Sequence, residues 1–76
     1  MYVKYKNLRG NSNVFRYALG YNSIIVEFKD GAKYEYTYRS TSKADVEQMK
    51  MFAKRGRRLN SYIGRVVKRR FARKWR

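Results

Sequence analysis

Cysteine and histidine are both absent from this chain of 76 residues. Without Cys there is no disulfide and no thiolate metal site. Without His, zinc ligation, Ser-His or Cys-His catalysis and ordinary general-base chemistry near neutral pH lose their usual residues. Acids are scarce as well. The five carboxylates, Glu27, Asp30, Glu35, Asp45 and Glu47, are scattered, and no pair of them has the look of an acid/base site. Asp45 and Glu47 stand near an expected helix N-terminus, where they are most simply dipole partners. Neither an enzyme nor a bound metal or cofactor is therefore expected. Long apolar runs are missing too. The longest uncharged stretch, Tyr17 to Val26, contains Gly20, Asn22 and Ser23 and is too short to span a bilayer. Met1 to Gly10 alternates aromatic residues with Lys and does not read as a secretory signal. These absences together point to the cytoplasm.

What the chain has in excess is positive charge. Lys and Arg number 20 against five acids, a formal net charge of +15. Lys54 to Arg76 holds eleven of the cations and no acid, so this one segment carries most of the net charge. Arg outnumbers Lys in it by eight to three, and Arg makes planar, bidentate contacts with phosphate. The segment also has an order. Leu59, Ile63, Val67, Phe71 and Trp75 recur every four residues, with Tyr62 and Val66 on the same side. That spacing predicts an amphipathic helix from about Asn60 to Lys74, inside a basic element spanning 59–76. Its greasy face would close a core and its cationic face would meet solvent. An ordinary solvated face mixes both signs of charge, and an unmixed one of this density repels itself. A polyanionic partner accounts for it better than solubility does. Gly64, inside the helix, implies a close contact there.

Small size limits the fold to a single domain over 1–76. From Val14 to Tyr38 the apolar period is two. Phe15, Tyr17 and Leu19 share one face, as do Ile24, Val26 and Phe28, and then Tyr34, Tyr36 and Tyr38. This pattern predicts three strands in a meander. A slip of one residue would expose a whole apolar set, so the turns can be tested by face matching. Gly20-Tyr21-Asn22-Ser23 pairs Leu19 with Ile24, Tyr17 with Val26 and Phe15 with Phe28. A two-residue Asp30-Gly31 hairpin would set Val26 against Glu35. A three-residue loop, Lys29-Asp30-Gly31 with Gly31 at positive φ, sets Phe28 against Ala32 and Val26 against Tyr34. Arg16, Glu27 and Lys33 then line up across the opposite, solvent-facing side. Met1 to Lys6 suits a short edge strand or a basic arm, and Asn7 to Asn13 a loop. Ser42, with Asp45 three residues on, caps a helix of about Lys43 to Lys54, and Gly56 ends it. The expected fold is α+β: a three-stranded antiparallel meander followed by two helices packed on one sheet face.

Val26-Glu27-Phe28, Gly31 and Tyr34-Glu35-Tyr36 resemble the strand-Gly-Tyr-x-Tyr centre of the KTSC domain family. Ser12-Asn13-Val14 and Gly20-Tyr21-Asn22 resemble its opening, and Gly56, Leu59-Asn60 and Ile63 its closing helical motif. The likeness runs over about residues 12–71. That family occurs as small stand-alone proteins of bacteria and bacteriophages and at the C-terminus of some lysyl-tRNA synthetases. Its function is not established, and RNA binding has been suggested for it. The chain departs from the family pattern at Arg57-Arg58 and in its basic tail.

The expected activity is binding to nucleic acid through the phosphate backbone, with RNA slightly favoured over DNA by the resemblance alone. The contacts would be Arg57, Arg58, Arg65, Lys68, Arg69, Arg70, Arg73 and Lys74. Tyr2, Tyr5 and Tyr21, on loops or an edge, and Trp75 are candidates for stacking on bases. Tyr34, Tyr36 and Tyr38 belong to the face that meets the helices. The alternative partner is an acidic surface of a host protein, bound by a phage-type effector acting in the host cytoplasm, since such a surface attracts the same cations. A membrane-bound helix is disfavoured, because its apolar face is needed for the core.

Overall fold

Alternating side chains build the centre of the computed structural model, which describes all 76 residues. Strands β2 (Val14–Leu19), β3 (Ser23–Phe28) and β4 (Lys33–Thr37) form the meander. Tyr17 pairs with Val26 and Leu19 with Ile24 across the first hairpin. Val26 pairs with Tyr34 and Ile24 with Tyr36 across the second. The three-residue loop is present: the Phe28 N–H donates to Ala32 O at 2.8 Å, and Gly31 has φ 92°. Arg16, Glu27 and Lys33 form one cross-strand row. Glu27 was expected to face solvent. It is only 7% exposed, and its carboxylate accepts a hydrogen bond from Arg16 Nε.

The sheet has five strands rather than three, all antiparallel, in the order β1-β2-β3-β4-β5. β1 (Tyr2–Lys4) covers the free edge of β2, and β5 (Arg73–Trp75) covers that of β4. An uncovered edge leaves a row of unpaired amides and carbonyls. These two short strands satisfy it.

The expected Phe15–Phe28 pair does not form. Val14 stands opposite Phe28 and Arg16 opposite Glu27, so Phe15 is the extra residue of a β-bulge. Val14 is fully buried in its stead, and Phe15 is turned outward at 41% exposure.

Helix α1 (Lys43–Arg55) begins where Ser42 Oγ accepts the Asp45 N–H at 3.1 Å. It ends at Gly56, whose φ of 78° lets its N–H reach back to Phe52 O and Ala53 O. A Cβ at Gly56 would also lie 2.5 Å from the Lys6 Cβ. Only glycine suits both demands. Val46, Met49 and Ala53 form the buried side of α1.

The last helix is much shorter than its apolar stripe predicts. Helix α2 (Leu59–Tyr62) runs on into a π-helical turn over Ile63–Val67, closed by Lys68 N–H to Ile63 O at 2.7 Å. At Lys68 the chain reverses with φ 49°, and Ala72 N–H then bonds Glu35 O at 2.7 Å. Two terms favour the reversal. Continuing the helix would stack Arg65, Arg69 and Arg73 four apart, each like-charged pair costing about 0.2–0.5 kcal/mol. It would also leave the β4 edge bare. Leu59, Ile63 and Val67 are buried as expected, but Val66 is exposed, because the wider turn rotates it outward. Gly64 has no neighbour that a Cβ would touch, so the expected close contact is not there.

The core joins Tyr17, Ile24, Val26 and Tyr36 of the sheet to the buried sides of both helices. The opposite sheet face has no helix packed on it and is partly buried, with Glu27 its most buried residue. No helix is long and apolar enough to cross a membrane.

Candidate nucleic-acid interface

Where each acid goes decides which cations remain free. All five carboxylates are engaged. Glu27 pairs with Arg16, Glu47 with Lys50 at 3.0 Å, Asp45 with Arg70 at 2.8 Å, Glu35 with Arg73 at 2.7 Å and Asp30 with Arg76 at 3.5 Å. Apart from the pair at the buried Glu27, these lie at the surface, where such pairs add little stability. They do partition the charge, because each takes one cation out of the unpaired set. No three acids come together as a metal-binding group.

Two of the eight expected phosphate contacts, Arg70 and Arg73, are thereby paired with acids, though both side chains stay exposed. Arg70 donates to Asp45 Oδ2, to Thr41 O at 3.0 Å and to Val66 O at 3.3 Å, which ties the reversal at Lys68 to the start of α1. Arg73 Nε donates to Glu35 Oε1 across the β4–β5 pair. The uniform cationic helix face expected of residues 60–74 does not exist, because the helix stops at Val67.

The other six fall into two separate concave surfaces. Arg57, Arg58 and Arg65 line a pocket of about 340 Å³. Its remaining walls come from the loop at residues 7–12, which adds Arg9, Asn7, Asn11 and Ser12, and from Asn60 and Ser61. No acid lines it, and Tyr5 is its one hydrophobic wall. Lys68, Arg69 and Lys74 line an open groove of about 890 Å³, joined by Lys29 from the β3–β4 loop. The groove floor is aromatic: Phe28, Tyr34, Tyr36 and Phe71. Tyr34 meets Phe28 and Phe71 edge to face at 5.4 and 5.0 Å, and Lys74 Nζ lies 5.4 Å from the Tyr34 ring centre. The one acid at the groove, Asp30, is held by Arg76. Concave surfaces lined mainly by one sign of charge focus the field of the whole molecule.

The pocket has a firm frame. Leu8 N–H donates to Gly56 O at 2.8 Å, and Leu59 N–H donates to the Tyr5 hydroxyl at 3.3 Å. Ser12 N–H donates to Asn7 Oδ1 at 3.1 Å, and Val14 N–H donates to Ser12 Oγ at 3.0 Å. Arg58 is held in the left-handed region at φ 71°, a strained conformation for a non-glycine residue.

The stacking candidates divide differently from expectation. Tyr5 is 3% exposed and belongs to the core. Burial raises its hydroxyl pKa, only partly offset by its hydrogen bond to Leu59. Tyr2 is half-buried with the Arg16 guanidinium 4.5 Å from its ring, and Trp75 is half-buried with Arg73 at the same distance. Tyr21 is 93% exposed on the β2–β3 turn, where Lys50 Nζ donates to the Gly20 and Tyr21 carbonyls at 2.7 and 3.0 Å. It is the candidate whose ring is most free to stack.

Arg9 and Lys29 are the cations that sequence reasoning missed. Arg9 lies far along the chain from Arg57 and Arg58, and the Leu8–Gly56 and Tyr5–Leu59 hydrogen bonds bring their segments together. Neither protein-family models nor curated proteins nor solved structures give a match to this chain.

Proposed function

We propose that this is a small nucleic-acid-binding protein that holds its ligand mainly by the phosphate backbone. One observation carries the reading: every acid is neutralised by a partner, while Arg9, Arg57, Arg58, Arg65, Lys29, Lys68, Arg69 and Lys74 make no ion pair and line two concave surfaces. Unpaired cations gain most from an external polyanion, because binding releases condensed counterions. The lack of His and Cys supports binding over catalysis. The KTSC resemblance tilts the ligand toward RNA by analogy alone.

The test is salt-dependent binding to a labelled oligonucleotide. Arg57→Gln/Arg58→Gln/Arg65→Gln and Lys68→Gln/Arg69→Gln/Lys74→Gln are each expected to weaken binding at least about tenfold and to flatten the salt slope by about two to three. Arg70→Gln, which removes an internally paired cation, is expected to change the slope by less than about one. Unchanged affinity in both triple variants at physiological salt removes the reading. Capture of one acidic protein from lysate, resistant to nuclease and without measurable oligonucleotide affinity, replaces it with the effector reading.

A further inference from the structure

The pocket walled by residues 7–12 and 56–65 differs in kind from the groove. The groove has a floor of aromatic rings, on which bases can stack. The pocket has polar walls and four arginines. Its volume of about 340 Å³ matches roughly ten water molecules.

Four guanidiniums without an acid among them are an unfavourable arrangement when empty. Elsewhere in this molecule the acids that could neutralise arginine do so, at Arg16, Arg70, Arg73 and Arg76. None of Arg9, Arg57, Arg58 and Arg65 is in such a pair, and none donates a side-chain hydrogen bond within the protein. The walls are pinned together by backbone and hydroxyl contacts instead, so the arginine heads are left for something else. The side chains of Asn11, Asn60 and Ser61 add neutral donors at the same place and also make no hydrogen bond within the protein.

From this we infer that the pocket is a site for a phosphomonoester group, and in a nucleic-acid ligand for the terminal phosphate of a strand. A phosphomonoester carries about −1.5 to −2 charges near neutral pH and offers three acceptor oxygens. A backbone phosphodiester carries one charge and two unbridged oxygens, and it must enter and leave the site through substituents on both sides. Arginine forks bind the oxygens of a phosphate in pairs. Four of them around one small pocket exceed what a single phosphodiester needs. The assignment of a strand end rests on the nucleic-acid reading above, whereas the phosphomonoester site stands on the pocket alone. Inorganic phosphate shares the chemistry, so the experiment separates the two sources.

The full chain is titrated with three probes: an oligoribonucleotide bearing a 5′-phosphate, the same strand with a 5′-hydroxyl, and inorganic phosphate. Binding is followed by anisotropy for the strands and by backbone amide shifts for phosphate. The 5′-phosphorylated strand is expected to bind about fivefold to tenfold more tightly than its hydroxyl twin. That preference is expected to vanish in Arg57→Gln/Arg58→Gln and to persist in Lys68→Gln/Arg69→Gln. Equal, tight binding of both strands overturns the terminal-phosphate site and leaves the nucleic-acid reading intact. Shifts with inorganic phosphate at residues 7–12 and 56–65, with no binding of either strand, support the site and remove the nucleic-acid reading. No response to any probe overturns both. Amide shifts confirm that the variants remain folded.

Discussion

The Tyr62 hydroxyl donates to Asp45 Oδ1 at 2.6 Å, linking the end of α2 to the first turn of α1. The other Asp45 oxygen accepts Arg70 Nη2 at 2.8 Å, and the Asp45 backbone N–H donates to Ser42 Oγ. One carboxylate thus fastens three chain segments.

Tyr62→Phe keeps the ring, which packs against Phe52 at 5.3 Å, and removes only this link. Hydrogen bonds to charged groups contribute about 1.5–3 kcal/mol, and partial exposure reduces that here. The expected loss is about 1 kcal/mol, read from the urea midpoint. In a cycle with Asp45→Asn the two losses are expected to be less than additive.

Acid weakens the same cluster. The Tyr62 hydroxyl first, then Arg70 and Ser42, hold the Asp45 carboxyl below its ordinary value of 3.8. Tyr38 and then Lys50 do likewise for Glu47. A depressed carboxylate adds stability that is present above its unfolded pKa and lost as pH falls through the folded one. Stability is therefore expected to drop as pH goes below about 4, and to drop less in Asp45→Asn. Alkali acts from the other side. Burial and the Asp45 bond push Tyr62 up to about 12, and the Glu47 bond pushes Tyr38 up to about 12. Their contribution is present below the ordinary tyrosine value of 10 and lost between there and about 12. Absorbance of the phenolate is expected to show a late-titrating class of tyrosines that Tyr62→Phe reduces.

Two neighbouring valines test the turn that ends the last helix. Val67 is fully buried and Val66 is 43% exposed. Val67→Ala is expected to destabilise the fold by about 2–3 kcal/mol. Val66→Ala is expected to change stability by less than about 0.5 kcal/mol. Comparable losses at both positions would mean that the π turn is not as described.

Ending the chain after Ala72 removes β5 and bares the edge of β4. The shortened protein is expected to self-associate at concentrations where the full chain does not, because an unpaired edge templates further strands. Light scattering or sedimentation reads this directly. A monomeric, equally stable product would show that the edge needs no cover.

The meander was legible because an alternating apolar face permits one register, and Gly31 marked the loop that keeps Val26 opposite Tyr34. Both ends of α1 were legible from Ser42 and Gly56, which carry their local chemistry openly. The reversal at Lys68 was not. No glycine or proline stands there, and Val66-Val67 continues an apolar stripe that a straight helix would also show. What overrides the pattern is the bare edge of β4, a demand made by tertiary structure. The bulge at Phe15 was hidden for a similar reason, since Val14 and Phe15 both suit a core. Of the candidate site, the unpaired cations at Arg57, Arg58, Arg65, Lys68, Arg69 and Lys74 were readable as charge. Their division between a pocket and a groove was not, because Arg9 and Lys29 reach them only through the fold.

Strand order equals chain order, with both helical segments inserted before β5. Neighbours among the first four strands can zip as successive local pairings, whereas β5 finds β4 only after the intervening chain has folded back. Contacts that close long loops form late. The fifth strand is thus expected to dock last and to fray first, and hydrogen exchange at Ala72 is expected to outpace exchange in β3. Lys74 shares that timing, so the groove is complete only once folding is.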